Sequence, residues 1–400
     1  MAVPGLPRLG PLAGRSGSPS GRRSRPAGRS LLALSALCLL GGLGTPPALA
    51  LAPVPASDAP ATWVAPGPAE PPRWATSSEA WFQRGIDLPA RLQWNANFGY
   101  CGETSLISAG LHFGQYTSQW TARALASPGI PQYQERSQLL LGRNDRKAAT
   151  SMKLAGRSFP TSRQRSSEAF LRWAKARFLR GDVVILGVYD NPRKLGEPVR
   201  SADAEYDHIV PLVSVGSTRP LRPGPQRFSA TDVLAFSDNG LFSAGAYRPF
   251  FFQYSWGEFL RSRTEASSVD GPLYSLRDTP PNYGLAVSGV LDPEGVTVPV
   301  RLVSSLKGEG LRDEAIMTAP PPPRPLTLTA TVLIPDPSVA YRVYLYDDFG
   351  DVPVRDFNAR ASRAVRMWSI PAGYGSRWSV SIDAESSDTR VFRAVPASAP

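Results

Sequence analysis

The chain has 400 residues, enough for about two domains of ordinary size with tails, and its 44 lysines and arginines against 33 acids give a formal charge of +11. Arg8, Arg15, Arg22, Arg23, Arg25 and Arg29 all fall at the start of the chain with no acid among them, so much of that excess belongs to a leader. The remaining bases are scattered, with no aromatic stacking platform or recognised motif beside them, which argues against a nucleic-acid partner.

Residues 1–50 read as a signal peptide or other targeting leader. After the arginines, Leu31 to Leu43 is almost wholly apolar and Ala48-Leu49-Ala50 supplies a small-x-small cleavage site, which predicts a secreted or extracytoplasmic protein. A signal-anchored protein and an organellar one are the alternatives. A membrane span needs about 20 apolar residues, so no stable span is expected after leader removal. Residues 51–76 are rich in Pro and Ala and read as an extended linker.

Residues 77–280 have a globular composition. Helices are expected at Gly102 to Phe113 and Ser167 to Leu179, the second with Arg172, Lys175, Arg177 and Arg180 on a solvated face. Gly181-Asp182 turns into a strand at Val183 to Tyr189, and further strands follow at His208 to Val215 and Val233 to Phe236, the last ending in a turn at Ser237-Asp238-Asn239-Gly240. Thr218 to Arg227 reads as a hairpin tip and Phe250-Phe251-Phe252 as a core strand or loop plug. Beyond Pro280-Pro281 lie seven short strand-like runs, from Leu285–Leu291 to Thr389–Val395, with Pro320 to Pro323 as a stiff loop. This pattern predicts a separate β-sandwich over 281–400, dispensable for any chemistry that precedes it.

The chemistry centres on Cys101. The only other cysteine, Cys38, lies in the leader, so the mature chain has no disulfide partner for it. At a helix start, unpaired N–H groups and the positive end of the dipole favour a thiolate. A nucleophilic thiol needs a base, and the chain has two histidines. His112 would lie about 16 Å along the axis of the helix opened by Cys101, which leaves His208. Asp238 or Asn239, after the next strand, would orient the imidazole. The oxyanion would be met by the Cys101 N–H and a side-chain amide, Asn95 ahead of Gln93 and Asn97. No cofactor or metal is called for.

Asn95 to Ser105, together with Asp207-His208-Ile209-Val210 and Phe236-Ser237-Asp238, resembles the papain-like cysteine peptidase superfamily, most of all its branch similar to the bacteriocin-processing peptidases. The resemblance covers about residues 81–265. It implies an α+β papain-like cysteine peptidase domain, followed here by the all-β sandwich-like region, with Cys101 as nucleophile, His208 as base, Asp238 as orienting residue and an upstream amide, commonly Gln but here Asn95, as oxyanion donor. The expected function is a secreted cysteine hydrolase acting on a peptide or protein substrate through a Cys101 thioester. The alternatives are a catalytically silent peptidase-like binding protein, or an acyltransferase using the same thiol. The β region would bind a partner or surface.

Overall fold

Val183-Val184-Ile185-Leu186-Gly187-Val188 has no polar position, a pattern suited to a strand covered on both faces, and this strand lies inside the largest sheet. The structure is a computed structural model and describes residues 81–163, 166–191, 193, 206–243, 248–261, 271–277, 280–307 and 316–399. The leader and linker expected at 1–50 and 51–76 fall outside these residues. The fold is mixed α/β, with 18% helix and 35% strand.

In chain order the first elements are β1 (Phe82–Gly85), α1 (Cys101–His112), β2 (Gln115–Tyr116), α2 (Gln119–Ala126), α3 (Asp145–Ser151), β3 (Leu154–Ser158), α4 (Ser167–Leu179) and β4 (Val183–Asp190). They continue as β5 (His208–Ser217), β6 (Val233–Ser243), β7 (Arg248–Ser255), α5 (Trp256–Phe259), β8 (Leu260–Arg261), β9 (Tyr274–Arg277) and β10 (Gly284–Val290). The large sheet runs β3-β10-β4-β5-β6-β7, with β1 on β5, β9 on β4 and β8 on β9. Its pairs are antiparallel except β8 with β9. Val183 and Ile185 face a core shared with α1, whereas Val184, Leu186 and Val188 face Phe170, Leu171 and Phe178 of α4. Alternate side chains of one strand thus serve two cores.

Every residue of α1 is buried, so the hydroxyls of Thr104, Ser105 and Ser108, which share one face of the helix, are satisfied by protein groups: Gln119, Ile209 O and Thr104 O. On one side it meets β4 and β5 through Leu106, Ile107 and Ala109; on the other, Leu111 joins a core built from the end of the chain. That end supplies β11 (Val300–Ser304), β12 (Pro325–Leu333), β13 (Tyr341–Tyr346), β14 (Arg366–Ile370), β15 (Arg377–Glu385) and β16 (Arg390–Pro396). They form a three-stranded sheet β11-β12-β15 and a four-stranded sheet β14-β13-β16-β2. Leu326, Leu328, Ala330 and Val332, every second residue of β12, share a cluster with Val343, Leu345, Phe392 and Ala394 of the other sheet. On the outer face Thr329 and Thr331 pair with Ser381 and Ser379 at 2.8 and 2.9 Å.

Four sequence expectations change. The run at Leu285–Leu291, placed in the C-terminal unit, is β10 and sits between β3 and β4 of the large sheet, so the boundary at 280/281 moves beyond it. The C-terminal strands are also tied to the C-terminal end of α1. Arg301 and Arg393 donate to the carbonyls of His112 and Phe113, satisfying groups that a helix end leaves open. β2 pairs with β16, and Phe392 N–H reaches Gly114 O at 2.8 Å. A side chain at Gly114 would collide with Val300 at 2.7 Å. Third, the basic face of α4 is solvated only in part: Arg172 and Arg180 are exposed, but Lys175 is buried against Asp232 at 2.7 Å, and Arg177 meets Asp182. Fourth, Ser237 to Gly240 is no turn but part of β6, where the pairing with β7 is interrupted between Ser237 and Phe242.

Candidate active site

Cys101 is the first residue of α1, and Tyr100 before it provides no side-chain cap. The N–H groups of the first turn are therefore not taken by a capping side chain, as an anion-binding helix start requires. The approach to the helix is tightly bent: Asn97, Phe98 and Gly99 have φ of 46°, 69° and 85° in succession. Two of these are not glycine, and backbone held in that region is sustained by its surroundings.

Arg123 of α2 supplies much of that support. It is fully buried and donates from Nη1 to Asn97 O at 2.8 Å, from Nη2 to Gly99 O, and from Nε to the Glu103 carboxylate at 2.6 Å. Its guanidinium lies 3.6 Å from the centroid of the Tyr100 ring. Glu103 also accepts Leu139 N–H at 3.0 Å. Gln119, likewise on α2, accepts Trp94 N–H and the Thr104 hydroxyl and donates to Leu92 O. Neither α2 nor these anchors stood out in the sequence; the one local signal was Ser118, which does cap α2.

His208 opens β5 and Asp238 lies on the adjoining strand β6. The imidazole Nε2 and Asp238 Oδ1 are 3.0 Å apart, and both side chains are wholly buried. Asp238 Oδ1 also accepts Gly240 N–H at 2.7 Å, and Oδ2 accepts the Tyr274 hydroxyl at 2.5 Å. Since Asp238 holds Nε2, Nδ1 is the nitrogen left for Cys101. Nδ1 makes no well-formed hydrogen bond, yet the thiol is close enough to act on the ring by hydrogen bonding and charge. We read this as close but imperfectly aligned contact.

Electrostatics favour a charged imidazole. Burial opposes the charge on His208, but Asp238, by charge and hydrogen bond, and then Cys101 outweigh it and raise the pKa well above 6.5. Burial pushes Asp238 up in turn, and the His208 charge, the bonds from His208 and Tyr274 and the Gly240 N–H bring its carboxyl below the ordinary value.

No family model, curated protein or solved structure matches this chain. The assignment of roles therefore stands on the geometry.

The structure brings Cys101, His208 and Asp238 together and separates Asn239 from the imidazole. Successive strand residues face opposite ways, so when Asp238 turns to His208 its neighbour turns to α1. There Asn239 Nδ2 donates to Cys101 O, Ser105 Oγ and Ile209 O at 3.1, 2.9 and 3.1 Å, fastening the helix that Cys101 opens to the strand that carries the histidine. His112 is remote in role as well as along the helix: its Nδ1 meets Asp87 O at 2.9 Å. Burial and then Arg301 lower its pKa to about 4, against the bond to Asp87.

Of the three candidate amides, Asn97 is committed elsewhere, donating to Met317 O at 2.8 Å and accepting Met317 N–H at 2.7 Å. Asn95 is half-buried in the bend ahead of the loop. Gln93 is buried, its Oε1 has no hydrogen-bond partner among the described residues, and its N–H bonds Asn239 O at 2.8 Å. That bond sets Gln93 beside the residue that holds the Cys101 carbonyl.

Proposed function

We propose that the chain is a papain-like cysteine hydrolase that cleaves amide bonds in a peptide or protein through a thioester on Cys101, in an extracytoplasmic setting. The observation that carries this reading is one buried imidazole with Asp238 on Nε2 and the Cys101 thiol as its other neighbour, at the start of a helix that no side chain caps. A cysteine helix packed on an antiparallel sheet that carries the base supports the papain-like reading. Two facing antiparallel sheets with a common core support the sandwich reading for the C-terminal region.

In this mechanism the Cys101 sulfur attacks the substrate carbonyl, and the tetrahedral oxyanion is met by the Cys101 N–H and a side-chain amide. Asn95, six residues before Cys101, is the side-chain amide proposed for this role, with Gln93 as the alternative. The intermediate collapses to the thioester as His208 gives its proton to the leaving amine. His208 then takes a proton from water, which attacks the thioester and frees Cys101. Asp238 fixes the ring and stabilises its charged form throughout.

The test is reaction of the full chain with iodoacetamide and with a peptide-based thiol probe, located by mass spectrometry, alongside hydrolysis of a peptide library. Labelling at Cys101 that His208→Ala slows by orders of magnitude and His112→Ala leaves nearly intact is the expected result. Equal effects of the two histidine variants would sink the assignment. Labelling without turnover would mark a silent binding protein, and products heavier by an acceptor amine an acyltransferase.

A further inference from the structure

Tyr274 lies on β9, beyond the stretch in which the sequence placed the catalytic groups, and is buried. β9 pairs with β4, setting Tyr274 opposite Asp190, and Phe252 and Phe236 pack edge-on to its ring at 5.1 and 5.7 Å. So held, the ring lies nearly parallel to the His208 imidazole, centroids 5.8 Å apart at 27°, while its hydroxyl donates to Asp238 Oδ2 at 2.5 Å. One carboxylate is thus shared between an imidazole on one oxygen and a phenol on the other. Burial and the Asp238 charge push the Tyr274 pKa far above its ordinary value, so the phenol remains a donor at every working pH.

We propose that Tyr274 is a positioning residue that sets the acid strength of His208, its hydroxyl taking a share of the Asp238 charge and limiting the pull of that carboxylate on the imidazole. A carboxylate bound to one strong donor has less charge to offer another. Without the phenol, Asp238 would grip the imidazolium harder, and His208 would part less readily with the proton the leaving amine needs. The proposal rests on the reading of His208 as the proton carrier for Cys101, but its test reads the histidine directly.

The chain has only two histidines, so imidazole Cε1–H resonances can be followed by NMR against pH and assigned with His112→Gln. Tyr274→Phe keeps the ring and removes the hydroxyl, and the His208 midpoint is expected to move up. Replacement of Tyr274 by 3-fluorotyrosine, a stronger donor of nearly the same shape, is expected to move it down, and this second protein decides the matter if the phenylalanine variant does not fold. A midpoint that stays put, or falls in Tyr274→Phe because Asp238 has swung away, overturns the proposal and reduces Tyr274 to a packing residue. Absence of thiol reactivity or hydrolysis in the wild-type chain would sink the hydrolase reading and leave the shifts readable.

Discussion

Arg123→Met removes a buried guanidinium and strands a buried carboxylate. Side chains of Arg123 and Glu103 are 0% and 1% exposed, with Nε and Oε1 2.6 Å apart, so no water can replace the lost partner. Breaking such a pair from one side costs about 3–5 kcal/mol, and the carbonyls of Asn97 and Gly99 lose their donor as well. Against a total stability of about 5–15 kcal/mol for a domain, that is a large fraction. Urea denaturation at neutral pH reads the loss, and iodoacetamide alkylation of the remaining folded protein reads the loop. The variant is expected to lose at least about 3 kcal/mol and to be alkylated more slowly at Cys101. The double variant Arg123→Met with Glu103→Gln should regain part of the stability, since a neutral amide is cheaper to bury, but not the reactivity, because the carbonyls remain unheld. A loss below about 1 kcal/mol, with unchanged reactivity, would refute the idea that Arg123 holds the loop before Cys101.

The histidines should pull stability in opposite directions with pH. His112 titrates near 6.5 when unfolded and at about 4 when folded, so the unfolded chain binds the extra proton first, and about 3 kcal/mol should be lost as pH falls across that window. His112→Gln should flatten this limb, and an unchanged limb would exclude His112 as its source. His208 has a raised pKa when folded, so its contribution is complete below 6.5 and should fade as pH climbs through the folded value; Asp238→Asn should abolish this alkaline limb. Gly102→Ala would set a Cβ 2.3 Å from Leu139 O and 3.1 Å from Ile209 Cδ1, so about 1–3 kcal/mol of destabilisation is expected, with slower alkylation of Cys101; wild-type behaviour in both would show that the first turn has room to move. Asn95→Ala should reduce hydrolysis by about 100- to 1,000-fold and Gln93→Ala far less, and the reverse ranking in the same peptide assay would move the oxyanion role to Gln93.

What could be read from the sequence was what depends on local pattern. The continuous apolar run of β4, the helix opened by Cys101 and the regular spacing of apolar residues in β12 are all local, and the elements fall within a few residues of the expected places. The count of two histidines in the chain and one cysteine beyond residue 50 narrows the candidate pair without any knowledge of the fold. The partners of that pair were legible only in part. Asp238 and Asn239 are adjacent and chemically similar, and only the direction of β6 decides between them. Ser-Asp-Asn-Gly has turn composition, and this obscured the continuation of β6. Tyr274 and Arg123 gave no signal because their importance lies in contacts with residues 36 and 20–26 positions away.

The same reasoning explains why the split at Pro280-Pro281 was misplaced. A composition shift marks where short strands begin, not which sheet they join, and β10 is as apolar and short as the strands that follow it. Its place between β3 and β4 is set by burial: Leu285 and Val287 complete the core on the α1 side and Ala286 the one on the α4 side. Beyond β10 the chain still does not part from the site. Leu92 N–H bonds Lys307 O at 2.8 Å, Asn97 is bonded to Met317 through both side-chain atoms, and Arg301 and Arg393 hold the far end of α1. The loop before Cys101 is therefore braced from one side by Arg123 and from the other by Met317. A thiol reactivity that depends on that loop should depend on the C-terminal strands as well, even though none of them carries a group that touches the sulfur in the proposed chemistry.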